Sequence, residues 1–245
     1  MDSVLSQDYP NIEYIVVDGG SVDGTLDVIR RLEDRIAMWI SEPDSGISDA
    51  FNKGVALARG EIVGIINSDD WYESNAVNSA VRALREMDAD IVCGGMQYWS
   101  GEKKSWRVRS DPGRLEETMY VGHPTVFARR NAYRQVGLFR PDFRLAMDYE
   151  WLLRAKCAGV KIVVLESCLA NMTEGGSSDR RWCMAQMEVM RARAMHLQLG
   201  RARLAASFAR ELVLGSARRL VDRLGLQEWR RWYQRRRRRS PRSHS

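Results

Sequence analysis

The sequence predicts an α/β fold in which a mixed, mostly parallel sheet is flanked by helices. Two observations support this prediction. Short runs of β-branched and other apolar residues, such as residues 12–17 and 61–66, alternate with amphipathic helical segments over most of the chain. Most of these runs end in Asp, Asn, Gly or Ser, which is typical of a strand that enters a turn. After residue 180 the pattern is helical, so we expect a helical extension behind the sheet.

The first half of the chain contains three units in which an apolar strand leads through a turn into a helix. Ser21 or Asp23 can cap the first of these helices, and Gly60 closes the second. A short helical segment at residues 3–11 precedes the first strand. The expected strands are 12–17, 36–40 and 61–66, and the expected helices are 25–35, 47–60 and 75–87.

The second half adds a hairpin and continues the alternation of strands and helices. The expected strands are 90–99, 103–109, 123–130 and 161–172, and the expected helices are 114–119, 131–136 and 148–158.

Length and composition place the protein among globular proteins. With 245 residues, 44% of them hydrophobic, the chain can bury a sizeable core. We expect a sheet domain at 1–180, a helical extension at 181–233 and a basic disordered tail at 234–245. No apolar run reaches the roughly 18 residues of a membrane span, and the N-terminus does not have the pattern of a signal peptide. The expected location is therefore the cytoplasm.

The cysteine pattern agrees with that location. The sequence contains four cysteines and no Cys-x-x-Cys pair, so neither a zinc site nor a disulfide framework is indicated. We interpret them as buried, reduced thiols, namely Cys93, Cys157, Cys168 and Cys183.

The charge is divided between an acidic body and a basic tail. Residues 201–245 contain 14 Arg and three acidic residues, a net charge of +11. The whole chain carries +6, so residues 1–200 carry −5. Two parts of opposite charge need separate explanations.

The basic tail has three interpretations. Residues 201–226 have an apolar helical face with Leu204, Phe208, Leu212 and Ala205, and Trp229, Trp232 and Tyr233 follow. A helix packed on the body with a solvated tail would explain them. Peripheral binding to the anionic inner face of the cytoplasmic membrane would also explain them. Arg runs bind nucleic acid non-specifically as well, but no recognition module accompanies this one and the body is acidic.

Carboxylates follow three of the expected strands. Asp18, Asp44 and the adjacent pair Asp69-Asp70 each come after an apolar run. Taken singly, they can cap helices or stabilise turns. Because the carboxyl ends of parallel strands meet at one sheet edge, they can also converge there, where repulsion would favour a cation or a donor-rich ligand. Adjacent acids in a tight turn suit Mg²⁺ or Mn²⁺ together with diphosphate oxygens.

Two further residues are candidates for chemistry. Asp148 lies at the start of the helical segment AMDYEWLLRA, where it can cap the helix or act as a general base. His123 in GHPTVF is one of three histidines, and its role is structural or functional.

The motifs in series resemble a known family. SVLSQDYPNIEYIVVDGGSVDGT, EPDSGISDAFNKGVALARGEIVGIINSDDWY and LAMDYEWLLR, in this order, are similar to family-2 inverting glycosyltransferases with the Rossmann-like GT-A fold. The resemblance covers roughly residues 1–175 and is greatest to bacterial enzymes of polysaccharide and capsule assembly. It implies a nucleotide-sugar donor, a UDP-sugar in our interpretation, and a saccharide or lipid-linked saccharide acceptor.

The resemblance also implies roles for individual residues. Asp18 would contact the base or ribose, and Asp44 with Asn52 and Lys53 would line the nucleotide and diphosphate. Asp69 and Asp70 occupy the place of the D-x-D motif, with Asp70 as the direct ligand of Mg²⁺ or Mn²⁺. Asp148 occupies the place of the catalytic base. His123 and Glu150 are candidates for the acceptor side or for a further metal ligand.

The sequence departs from the family in one respect. The family begins with an apolar strand about 20 residues upstream of SVLSQ, and that strand is central in the sheet. Here Met1 comes after it, so we expect either a misassigned start, which we prefer, or a truncated relative. The alternatives to an inverting glycosyltransferase are a non-catalytic relative of the same fold and a basic-tailed nucleic-acid-binding protein. The intact Ser68-Asp69-Asp70 and Asp148-Tyr149-Glu150 motifs favour the enzyme.

Overall fold

A computed structural model describes residues 1–223 of the chain. The chain divides into two units, the first spanning Met1–Gln198 and the second beginning at Leu199. The first unit thus continues beyond the boundary expected at residue 180. The second contains one described helix, Arg201–Arg223 (α9). The expected tail at 234–245 and the aromatic residues Trp229, Trp232 and Tyr233 lie outside the described residues.

The first unit consists of eight strands and eight α-helices in the described residues. The strands are β1 Ile15–Asp18, β2 Met38–Ser41, β3 Ile62–Gly64, β4 Trp71–Tyr72, β5 Ile91–Ser100, β6 Lys103–Val108, β7 Phe127–Arg129 and β8 Ile162–Thr173. The helices are α1 Asp2–Leu5, α2 Thr25–Arg31, α3 Ile47–Leu57, α4 Ala76–Glu86, α5 Arg130–Val136, α6 Met147–Cys157, α7 Ser177–Arg180 and α8 Trp182–His196. Across residues 1–223, no helix has the length and hydropathy required to cross a membrane.

The strands form two sheets, which confirms the expected α/β class. β1 and β2 pair in parallel, with Ile15 opposite Met38. The other six strands form a mixed sheet in the order β3-β7-β5-β8-β4, and β6 pairs with β5. β5 and β8 are parallel, and the remaining pairings are antiparallel. β3, β5 and β8 therefore run in one direction, and the hairpin strand β6 and the short strands β4 and β7 run in the other.

The two sheets are separated between β1 and β3. Within the described residues, no backbone pairing joins these strands. Side chains connect them instead: the Glu13 carboxylate, just before β1, accepts hydrogen bonds from the backbone N–H groups of Arg59 and Gly60 at 2.8 and 3.1 Å. Gly54 of α3 lies against Val17 of β1.

The largest core cluster surrounds α6. Trp151, Leu152 and Leu153 are at most 1% exposed, and the Trp151 ring stacks on Tyr133 with centroids 4.5 Å apart. The Trp151 indole N–H donates to the carbonyl of Gly137 at 2.8 Å. A helix that is buried on nearly all sides gives the residue at its start a fixed position.

Three local predictions are wrong in extent. The expected helix at 114–119 is only a 3₁₀ turn, Pro112–Arg114, because a single residue of the segment, Leu115, is fully buried. The strand expected at 61–66 pairs only over Ile62–Gly64. The strand expected at 123–130 begins with a 3₁₀ turn, His123–Thr125, since Pro124 has no N–H for a ladder.

The thiols are free but not all buried. Cys93 is buried and Cys168 is partly buried, in line with the expectation. Cys157 and Cys183 are exposed, so the prediction of buried thiols is wrong for these two. Cys157 is the last residue of α6, and Cys183 lies in the first turn of α8.

Candidate active site

Asp18 ends β1 and is held by four hydrogen bonds. Its carboxylate accepts from the backbone N–H groups of Gly20 and Ser21 at 3.0 and 2.9 Å and from the hydroxyls of Ser21 and Ser41 at 2.6 and 2.7 Å. Burial acts to raise the pKa of Asp18, but these hydrogen bonds outweigh it and the pKa lies below its usual value. The charged carboxylate therefore holds the turn after β1 against the end of β2.

Asp44 lies next to this turn, as the convergence argument predicted. Its Oδ2 would be 2.5 Å from a Cβ built on Gly19, so only glycine fits there. Its Oδ1 accepts a hydrogen bond from the Gly46 N–H at 2.8 Å, just before α3. Lys53 on α3 reaches the same turn: its ammonium donates to the Pro43 carbonyl at 3.2 Å. These contacts bring Asp18, Asp44 and Lys53 to one edge.

Lys53 is held by two carboxylates at that edge. Its Nζ lies 2.8 Å from Glu42 and 3.6 Å from Asp49, and the hydrogen bond that Lys53 donates to Glu42 raises the pKa of Lys53. The ammonium is therefore a permanent positive charge beside the Asp44 turn, which suits an anionic ligand.

Asn52 has a different position from the one expected. Its amide bridges to the backbone of Phe139, accepting from the N–H at 2.9 Å and donating to the carbonyl at 2.8 Å. Both halves of the amide are thus engaged between α3 and the segment before α6. The structure gives Asn52 a structural role and no nucleotide contact.

Asp69 and Asp70, which follow β3, differ sharply in environment. Asp69 is exposed, whereas Asp70 is 7% exposed. Asp70 Oδ2 accepts a hydrogen bond from the Asn67 amide at 3.2 Å, and its buried Oδ1 has no hydrogen-bond partner in the described part of the chain. Burial, assisted by the negative charge of Asp69, raises the pKa of Asp70 to about 7.

Asp69 and Asp70 provide some, but not all, of the oxygen ligands that a divalent cation needs. The unpartnered Asp70 Oδ1 offers a free oxygen ligand, and a cation would offset the unfavourable burial of its charge. Within residues 1–223, however, no three His, Cys, Asp or Glu side chains form a cluster that would hold a metal alone. The residues present therefore fit Mg²⁺ or Mn²⁺ held by Asp70, with Asp69 beside it and ligand oxygens completing the shell.

Asp148 and His123 lie together in the wall of a cavity of about 200 Å³. Asp148 is in the first turn of α6, and its Oδ1 accepts from the N–H of Tyr149 at 2.7 Å. Burial raises the pKa of Asp148, and the charge of His123 opposes the rise. Burial lowers the pKa of His123, with Asp148 acting in the opposite direction. The His123 ring stacks on Phe51 with centroids 5.0 Å apart.

The same cavity connects the two carboxylate sites. Asn67, the partner of Asp70, is among its lining residues together with His123 and Asp148. Its walls are largely apolar, and four methionines contribute to them: Met96, Met119, Met147 and Met172. A polar end beside apolar walls is an arrangement typical of a small-molecule site.

Glu150 does not reach this cavity. It is 0% exposed, and its carboxylate pairs with Arg154 at 2.9 Å and with His196 of α8 at 2.8 Å. A buried carboxylate whose oxygens are occupied in this way joins α6 to α8. The suggested acceptor or metal role of Glu150 is therefore not supported by its position.

Sequence reasoning missed three residues of the site. Asn67 was the easiest to find, because it precedes Ser68-Asp69-Asp70 directly. Phe51, which orients His123, and Ser41, which donates to Asp18, belong to segments distant in sequence from their partners. Their contacts depend on tertiary packing, for which a single sequence gives no signal.

Comparison with known proteins supplies the family context. The model of "Glycosyl transferase family 2" matches residues 1–153. An uncharacterised glycosyltransferase of Mycobacterium tuberculosis is 34% identical over 162 residues, which is 62% of this chain and 61% of the relative. The glycosyltransferase GlyG of Streptococcus pneumoniae is 34% identical over 97 residues, 38% of this chain and 32% of GlyG. The chain thus spans one to two thirds of the length of these relatives.

Solved structures share the fold. Staphylococcus aureus TarS residues 1–349 in complex with UDP-GlcNAc matches with a TM-score of 0.65 and 20% identity, over 86% of this chain and 66% of that one. The mannosyltransferase PcManGT of Pyrobaculum calidifontis, in complex with GDP-Man and Mn²⁺, matches with a TM-score of 0.62 and 19% identity, over 94% of this chain and 77% of that one.

Proposed function

The chain belongs to glycosyl transferase family 2, and on this premise we propose that it transfers a sugar from a UDP-sugar to a saccharide or lipid-linked saccharide, with inversion at the anomeric carbon. The observation that supports this most directly is the shared cavity. It brings together the half-buried Asp148 carboxylate and Asn67, which donates a hydrogen bond to Asp70.

Asp148 is the proposed general base. Its pKa is raised by burial, so its carboxylate accepts a proton more readily than a solvated one. It takes the proton of the acceptor hydroxyl as that oxygen attacks the anomeric carbon. The bond from that carbon to the diphosphate oxygen breaks on the opposite face, so one displacement inverts the configuration. No second nucleophilic carboxylate is needed.

The donor would lie along the other edge of the site. In this proposal the Asp18 and Asp44 turns contact the nucleoside and the Lys53 ammonium contacts the diphosphate. The hydrogen bonds that hold the Asp18 turn and join Lys53 to Pro43 support this assignment. Asp70 and Asp69 would hold Mg²⁺ or Mn²⁺, which neutralises the charge that develops on the leaving diphosphate. UDP-GlcNAc bound to TarS and Mn²⁺ with GDP-Man bound to PcManGT support this class of donor and metal.

The acceptor would enter through the methionine-lined part of the cavity. Flexible, polarisable methionine side chains adapt to irregular apolar groups, which suits an acceptor that carries an apolar part next to its reactive hydroxyl. A relative of Mycobacterium bovis, 29% identical over 63% of this chain, is named a PGL/p-HBAD biosynthesis glycosyltransferase. A role in cell-surface polysaccharide synthesis at the inner face of the cytoplasmic membrane is part of the same proposal, with the basic segment after residue 200 as the membrane contact.

The substitution Asp148→Asn tests the proposal. We expect transfer to fall by about 10²- to 10⁴-fold, because the amide cannot accept the proton. Binding of the donor is expected to remain, since Asp148 lies at the acceptor side.

The measurement has two parts. A thermal-shift screen of UDP-sugars with Mn²⁺ identifies the donor, and release of UDP is then followed with octyl glycosides as acceptors. Calorimetry with the same UDP-sugar checks donor binding. Full transfer by the variant would rule out Asp148 as the base, and the absence of donor binding by the wild-type chain would favour a non-catalytic relative of the fold.

A further inference from the structure

The segment that leads into α6 is held from behind by α8. Glu188, in the middle of α8, directs its carboxylate at three consecutive backbone N–H groups just before the helix that carries Asp148. It accepts from Arg144 at 3.0 and 3.1 Å, from Leu145 at 2.8 Å and from Ala146 at 2.8 Å.

This carboxylate supplies a cap that the local sequence does not. The N-cap residue of α6, Ala146, makes no side-chain cap hydrogen bond, and Glu188 binds its N–H, while Asp148 accepts from the Tyr149 N–H in the first turn. Unsatisfied N–H groups at a helix start need an acceptor, and a carboxylate there also interacts favourably with the helix dipole. Charge-assisted hydrogen bonds of this kind are about twice as strong as neutral ones.

Neighbouring contacts hold the same segment on both sides. Arg191 of α8 pairs with the Asp142 carboxylate and donates to its carbonyl. From the opposite side, the Ser48 hydroxyl of α3 donates to the carbonyl of Phe143 at 2.8 Å. The backbone from 142 to 146 thus has little freedom, and Asp148 follows it within one helical turn.

The α8 helix is well fixed itself. Ala185, Val189 and Ala192 form its buried side, at the i, i+4, i+7 spacing of a core-facing stripe. Glu188 therefore acts from a rigid support, and its hydrogen bonds connect this support to the segment before Asp148.

We propose that Glu188 is a positioning residue for the transfer reaction: by capping α6 from α8 it fixes the place and direction of the Asp148 carboxylate. Asp148 is the base only under the proposed function, so this role rests on that function. The negative charge of Glu188 also raises the pKa of Asp148, whereas His123 acts against it, so both groups influence the base.

Two substitutions test this role. Glu188→Ala removes all four hydrogen bonds, and we expect kcat to fall by about 10²-fold, since a displacement of about 1 Å at the base has that effect. The Kd of the UDP-sugar identified by thermal shift should stay within about twofold.

Glu188→Gln keeps the shape of the side chain but loses its charge, so the acidic limb of the kcat–pH profile should move to lower pH. Glu166→Gln, at an exposed ion pair on β8, is the matched control and should change neither quantity.

The outcomes distinguish the positioning effect of Glu188 from the effect of its charge. They also distinguish failure of this inference from failure of the proposed function. A Glu188→Gln variant with wild-type kcat and an unmoved acidic limb would overturn the positioning role, as would a loss of donor binding equal to the loss of kcat. If the Glu188→Ala variant does not fold, the Glu188→Gln variant alone tests the positioning role. If Asp148→Asn abolishes UDP release while both Glu188 variants behave as wild type, the inference fails alone. If Asp148→Asn retains full activity, the proposed function fails first.

Discussion

The two parts of the molecule that border the site are held together in opposite ways. The α6–α8 layer, which consists of these two helices and the segment 140–146, is fixed by apolar burial: seven of the eleven residues of α6 are buried. The β1–β2 layer is a two-stranded sheet in which only one of eight residues is buried, and that residue is the carboxylate Asp18.

This difference indicates how each layer responds to a change of pH and to local unfolding. Apolar burial resists local opening, and in the α6–α8 layer it accompanies the carboxylates of Glu150 and Glu188. The β1–β2 layer lacks such burial and depends on the charge of one carboxylate. The layer with the proposed base is thus pre-organised, and the layer that would receive the nucleotide is the less stable one. A nucleotide that binds only the folded state would add stability there by mass action.

The largest effect is expected from a pair of tryptophan substitutions, one in each layer. Trp151→Ala removes a side chain that is 1% exposed and in contact with Tyr133 and Phe139, so we expect a loss of about 3–5 kcal/mol in the free energy of unfolding. Trp39→Ala makes the same chemical change on β2, where the indole is partly exposed and donates to Glu33. There we expect about 1 kcal/mol or less.

Chemical denaturation of both variants checks this comparison. Equal losses would show that the β1–β2 layer is packed as firmly as the α6–α8 layer, and would contradict the difference drawn between them.

The sequence predicted the parts of the fold that local patterns determine. Apolar runs and their closing turns identified most strands, and the acidic turns predicted that Asp18 and Asp44 lie close together, as Asp44 does beside Gly19. The same patterns failed where a contact is made at a distance. Asn52 was assigned to the nucleotide, but its amide is engaged by Phe139, which lies 87 positions away in the chain. Glu188 gave no signal at all, because an acid in a helix interior resembles any solvent-facing residue until the packing of α8 is known.

The second prediction concerns the carboxylate that holds the β1–β2 layer. Asp18→Asn places an amide N–H₂ among the N–H and O–H donors of Gly20, Ser21 and Ser41, so we expect a loss of about 1–3 kcal/mol in stability at pH 7. Because the folded pKa of Asp18 is lowered, its contribution is fully present above the unfolded value of 3.8 and is lost as the pH falls through the folded value. The difference between variant and wild type should therefore shrink in strong acid.

Thermal unfolding of both proteins at neutral and acidic pH measures this change. Asp23→Asn serves for comparison: Asp23 is an exposed carboxylate of the same turn that accepts hydrogen bonds from Thr25, and its loss should cost less at neutral pH. A pH-independent difference for Asp18→Asn would indicate that the side chain contributes by shape and not by charge.

The smallest effect, and one of opposite sign, is expected at Asp70, which follows β3. Its folded pKa of about 7 is above the unfolded value of 3.8, so the metal-free protein loses stability as the pH rises through this window and the loss is complete above about pH 7. Asp70→Asn removes this loss and should stabilise the metal-free chain at pH 8 by on the order of 1 kcal/mol, with almost no change at pH 4. Mn²⁺ should raise the melting temperature of the wild type at pH 8 more than at pH 5.5, because the cation requires the ionised carboxylate, and should not affect the variant.

A rise in melting temperature with Mn²⁺ that persists in Asp70→Asn would exclude Asp70 as the metal ligand. A variant that is less stable than the wild type at pH 8 would contradict the burial of an unpaired charge at this position.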